Sequence, residues 1–204
     1  MEKLEAVIEA PLIETETPWR VSATAACSFV RLWRNTTDDE TGLVVYQLAD
    51  YNQIEVGGQA ADVLARIINA EGLILPGGVR VQSDNGKTIC PGCCCGLEGW
   101  RGWESLLGKG RFPWLGHDPW PWIEKIDGAF RVWADLQSDV YIDIHGDDVV
   151  RQLHDLHNDL IDFLARLEEW AMLIDAESAR LLVEKFDTCF SIRGNPEAVR
   201  TEAE

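Results

Sequence analysis

Positive charge is scarce in this chain. Against 35 aspartates and glutamates stand only 18 lysines and arginines, a net charge of -17 over 204 residues. So anionic a surface repels phosphate backbones and argues against direct nucleic-acid binding. It disfavours anionic membrane surfaces for the same reason. Long apolar runs are also missing: none approaches the roughly 18 residues a membrane-spanning helix needs. Met1 to Glu16 holds one lysine and five glutamates, the reverse of a positively charged leader. The expected location is therefore cytoplasmic, where thiols stay reduced and no disulfide framework is expected.

Catalytic motifs are absent as well. The chain has no phosphate-cradling Gly-Lys-Ser/Thr loop, no dinucleotide fingerprint and no serine nucleophile elbow. It shows neither an internal repeat nor a low-complexity segment. Apolar residues at 46 % and charged residues at 26 % are ordinary globular composition, and the length is enough for a real core.

What is present is concentrated between Thr88 and Trp133. Four of the six cysteines lie in Cys90-Pro-Gly-Cys93-Cys94-Cys95, and six of the nine tryptophans follow within forty residues. Cys-Pro-Gly-Cys is a tight turn that brings two thiols together. It suits metal binding, dithiol chemistry or simple packing of small apolar side chains. For zinc, Cys90 and Cys93 form a first pair, and Cys94, Cys95, His117 and His145 are the candidates to complete it. A dithiol oxidoreductase is the poorer fit, because the glycines after the turn weaken the helix that would activate its thiol.

The tryptophans point to a contact surface. Indole rings carry large apolar area and a donor that wants a partner, and they are enriched in binding hot spots. Trp114, His117, Asp118, Trp120 and Trp122 form the candidate binding surface, with rings pinning down a long loop as the alternative. Two places could serve acid/base chemistry: His117 with Asp118, and Asp143 with His145 at a strand end. His154 and His157 share a helix face with no third ligand beside them.

The expected fold is α+β, a mostly antiparallel sheet covered by a C-terminal two-helix hairpin. We expect one domain over residues 1–204, with an acidic N-terminal arm or edge strand over 1–18 and a frayed tail over 195–204. Trp19–Arg34 and Gly42–Ala49 read as strands with Asn35–Thr41 a polar turn between them, and Gln59–Glu71 as a helix. Asp84-Asn85-Gly86 predicts a hairpin, Leu97–Leu107 a short helix, and Phe130–Trp133 with Val140–Ile144 a second hairpin. Pro76-Gly77-Gly78 and Gly108–Pro121 read as loops. Val149, Leu153, Leu156, Leu160, Phe163, Leu167, Trp170 and Ile174 step by four and three, the seam of one long helix capped by Asp147 or Asp148. Ala176–Phe190 is expected to pack back on it.

Charge, size and missing motifs point first to a non-enzymatic acidic interaction protein. An immunity- or antitoxin-like inhibitor of a basic protein partner fits that physics. A zinc-stabilised domain built on the Cys90/Cys93 turn is the second expectation, with His117 among its ligands. A hydrolase-type enzyme around His117/Asp118 or Asp143/His145 is the third.

Overall fold

The computed structural model describes residues 2–13, 16–23, 25, 28–108 and 111–194. The expected tail over 195–204 lies outside them. The fold is α+β, as expected, but its strands divide into two antiparallel sheets. The first contains Lys3–Glu9 (β1), Phe29–Arg31 (β2), Gly77–Gln82 (β3) and Thr88–Ile89 (β4), in the order β2-β1-β3-β4. The second is a meander of Trp122–Ile126 (β5), Ala129–Trp133 (β6) and Tyr141–His145 (β7).

β1 corrects the expectation of an N-terminal arm or edge strand. It pairs with β2 on one side and β3 on the other, and its five middle residues, Leu4–Ile8, are all buried. Burial on both faces erases the apolar/polar alternation by which a half-buried strand is recognised. Even its central acid is enclosed. Glu5 is 2 % exposed and accepts from Arg31 at 2.8 Å and from Arg80 at 2.6 Å. Arg80 sits directly opposite it in the β1–β3 register. A buried carboxylate is tolerable only when paired in this way.

Residues 42–49 are a second correction. They belong to the helix Asp38–Tyr51 (α1), not to a strand. The polar stretch before them is the start of that helix. Thr37 Oγ1 accepts from the Glu40 amide while the Glu40 carboxylate accepts from the Thr37 amide, a reciprocal cap. Thr41 to Ala49 are buried without a break. A helix enclosed on every side shows no 3.6-residue period, so its short apolar run reads equally well as a strand. Of Trp19–Arg34, only Phe29–Arg31 is strand among the described residues. Gly77 and Gly78, expected in a loop, open β3.

The other elements follow their patterns. Ala60–Asn69 (α2) matches the expected short helix, and β3 and β4 pair across Asp84-Asn85-Gly86. β6 and β7 pair as expected, with β5 added from residues for which the sequence predicted no element. Leu97–Leu107 is a 3₁₀ helix; Trp100, Trp103 and Leu106 face inward, whereas Leu107 is exposed. The long seam is the inner face of Gly146–Met172 (α3), and Ala176–Phe190 (α4) packs on it. The residue at the α3 N-cap is His145, with no side-chain cap bond. Asp147 and Asp148 instead lie in the first turn, where carboxylates meet the positive end of the helix dipole. α3 also packs against β1, so the helices cover the first sheet. A continuous core joins residues of both sheets to helices α1, α2, α3 and α4.

Candidate metal centre

The cysteine turn and the tryptophan loop meet as a pair of extended segments. Cys93 and His117 exchange backbone hydrogen bonds, the Cys93 amide to His117 O at 2.6 Å and the His117 amide to Cys93 O at 3.0 Å. The Gly92 amide donates to Leu115 O at 2.7 Å. Both segments need glycine for this approach. A Cβ on Gly92 would collide with the carbonyl oxygens of Pro119 and His117, and one on Gly116 (φ +92°) with the Gly92 carbonyl. The Cys95 carbonyl accepts from the Gly77 amide at 3.0 Å and so ties the turn to β3.

This pairing gathers soft donors. The Sγ atoms of Cys93 and Cys94 and an imidazole nitrogen of His117 all lie within 4.8 Å of one another. Neighbours in an extended chain point to opposite sides, so two adjacent thiols need a bend to converge. Cys94 supplies it with a left-handed backbone, φ +63°, and the two sulfurs come to 3.5 Å. A non-glycine residue in that region carries local strain, which is characteristic of functional sites. His117 Nδ1 lies 3.1 Å from the Asp118 carboxylate, to which it donates when it carries the ring proton. A carboxylate behind the imidazole is the usual outer support of a ligating histidine. Cys93 and Cys94 are exposed and His117 is half-buried.

The ligand set thus differs from the one the sequence suggested. Cys90 is not in the cluster. It lines a groove of about 360 Å³ beside it, with Glu9, Phe29, Asp118 and Pro119. Burial pushes the Cys90 thiol up. Cys95 is buried against the Trp114 carbonyl, and desolvation raises its thiol to about 11. The Cys93 thiol is also raised, first by its hydrogen bond with Cys94. Raised thiols are the opposite of what a dithiol catalyst requires. His145 stands at the β7–α3 junction and is not part of the group.

The tryptophans separate into three environments. Trp100 and Trp103 are core residues, the Trp100 indole donating to the Phe190 carbonyl at 2.9 Å. Trp114 and Trp120 flank His117 along the loop, are 54 % and 45 % exposed, and meet edge to face at 5.9 Å. Trp122 lies in β5, stacked on Trp133 at 5.8 Å, and Trp133 in turn contacts Tyr141. Of the histidines on α3, His157 donates to the Ile192 carbonyl at 2.8 Å and packs on Trp100. His154 accepts from Asn158. Asp143 is bound through both oxygens by Arg131, at 2.7 and 2.8 Å, and that pairing holds its carboxyl below the usual range.

Fold and site together describe a class: an α+β protein carrying a Cys-Cys-His donor cluster on a glycine-paired surface loop. No family model matches the sequence, and neither a curated protein nor a solved structure is significantly similar to it. Among the described residues no helix is long and apolar enough to cross a membrane.

Proposed function

We propose that this chain is a non-enzymatic, acidic, zinc-binding interaction protein, in which Cys93, Cys94 and His117 clip the tryptophan loop to the cysteine turn and the loop docks a basic protein partner. The observation that carries the reading is the convergence of two thiols and an imidazole from segments about two dozen residues apart. Two sulfurs and a nitrogen suit zinc better than a hard cation, which prefers oxygen. The three protein donors leave a fourth position to water. The metal is thereby a fastener for the loop that bears Trp114 and Trp120.

Charge supports the choice of partner. The net charge of -17 steers a cationic surface inward, and the groove next to the cluster offers Glu9 and Asp118 beside the ring of Phe29. That combination receives a lysine or arginine side chain, the ring taking its stem and the carboxylates its head. Exposed indoles supply the desolvating anchors. An immunity- or antitoxin-like inhibitor is the biological role that matches these features.

Elemental analysis of protein purified without chelators tests the metal, with one zinc per chain expected. Cys93→Ser, Cys94→Ser and His117→Ala each lower the stoichiometry, whereas Cys90→Ser retains it. Absence of zinc from the parent protein, or its loss only in Cys90→Ser, sinks the assignment. The partner is tested separately, by retention of basic proteins on the immobilised chain at low and high salt. Binding that ignores ionic strength argues against charge-steered docking.

A further inference from the structure

A second cavity, unconnected with the cysteine turn, lies where α3 crosses the start of β1 and the end of β2. It is partly open to solvent and has a volume of about 330 Å³, within the range of small-molecule pockets, which is roughly 300–1,000 Å³. Gln152 lines it from α3 and is 2 % exposed, yet neither its Nε2 nor its Oε1 has a hydrogen-bond partner in the protein. Arg31 lines it from β2, and its buried Nε–H is likewise unpartnered. Leaving a carboxamide buried and unpaired forfeits its hydration with nothing in return. The α1 and α4 packing surfaces of the core carry no such orphan among the described residues. Of the four unpartnered buried side-chain atoms among the described residues, Trp122 Nε1 lies in β5, and the other three belong to the wall of this cavity, which is large enough to hold a ligand.

The charges around this amide have both signs. Lys3, Arg34, Glu2 and Asp162 all line the cavity, and none of these four has an ion-pair partner among the described residues. Gln152, Asp155 and Asp162 step along one face of α3, so an amide and carboxylates look into the same space. A phosphate-bearing ligand would meet those carboxylates and be repelled. A ligand with an ammonium, an amide edge and a carboxylate would meet an opposite or complementary group at each point.

We infer that this cavity is a binding site for a zwitterionic short peptide of dipeptide size. Its peptide amide pairs with the Gln152 carboxamide, its carboxylate lies against Arg34 and Lys3, and its ammonium lies against Asp162 and Glu2. The Arg31 Nε–H supplies a further donor to the ligand carbonyl. This site is independent of the zinc reading and stands or falls without it.

Calorimetric titration of the full chain tests the inference. The probes are a panel of dipeptides with small, acidic, basic and apolar side chains, each best binder repeated as its C-terminal amide, with adenosine monophosphate as the anionic comparison. At least one dipeptide binds saturably, and Gln152→Met weakens it by about tenfold or more, the change that corresponds to loss of one good hydrogen-bonded pair. Arg34→Ala weakens the free acid but leaves the C-terminal amide unaffected. The melting temperature of Gln152→Met without ligand equals or exceeds that of the parent, because an unpaired buried amide has been removed. The inference is overturned if no dipeptide binds, if adenosine monophosphate binds in preference, or if Gln152→Met binds as the parent does. A clear fall in the melting temperature of Gln152→Met also overturns it, since the amide would then be satisfied within the fold.

Discussion

Gly92 sets the distance between the two segments that bear the donor cluster. Its backbone passes so close to His117 and Pro119 that no Cβ fits between them. Gly92→Ala is therefore expected to push the tryptophan loop off the cysteine turn and separate His117 from the two thiols. Loss of such positioning typically weakens a metal site about 10- to 100-fold. Competition with a chromophoric zinc chelator measures the change, and unchanged far-UV circular dichroism shows that the helices persist. An affinity equal to the parent's would mean that the clip does not depend on this approach. The same local geometry explains why Cys94, and not Cys90, joins Cys93. The left-handed backbone at Cys94 folds its thiol back beside its neighbour's. The Cys-x-x-Cys spacing pointed to Cys90, but spacing carries no information about which adjacent residue takes an unusual φ.

At the scale of elements, α3 supports the rest. Val149, Leu153, Leu156, Leu160, Phe163, Leu167 and Trp170 are buried along it, against α4, β1 and α1. Leu160 is fully enclosed at mid-helix. Leu160→Ala is expected to destabilise the protein by about 2–5 kcal/mol, the transfer term plus the cavity left in a tightly packed place. Urea unfolding followed by circular dichroism reads this directly; a cost below about 1 kcal/mol would mean that the seam collapses around the gap. This helix was legible because only one of its faces is buried. α1 and β1 were not, because both are covered on all sides and their apolar runs have no period. For α1 a usable signal was nevertheless present: Thr37 with Glu40 three residues later and acids in the first turn mark a helix start.

At the scale of the whole molecule, acid tests how the charge is held. Arg131 keeps Asp143 below the ordinary aspartate value of 3.8, and the hydrogen bond from Ser178 does the same for Asp175, the N-cap of α4. A carboxylate lowered on folding contributes its full stabilisation above that ordinary value. The contribution is lost as pH falls through the lower folded value. The urea midpoint is therefore expected to hold from pH 7 to about 5 and to fall below about pH 4, less steeply in Asp143→Asn. A fall already complete at pH 5 would assign acid sensitivity to other groups.

The sequence by itself determined the α+β class, the C-terminal helical hairpin, both predicted strand pairings, and a cysteine turn and tryptophan loop of special composition. These rest on local periodicity, turn chemistry and residue type, which a linear chain displays. The tertiary structure alone decided that β1 is interior and that Cys94 replaces Cys90 beside Cys93 and His117. It alone assigned Trp100 and Trp103 to the core and left Trp114 and Trp120 outside. Those outcomes depend on which distant surfaces meet, and burial by a remote partner leaves no trace in the spacing of the residues it covers.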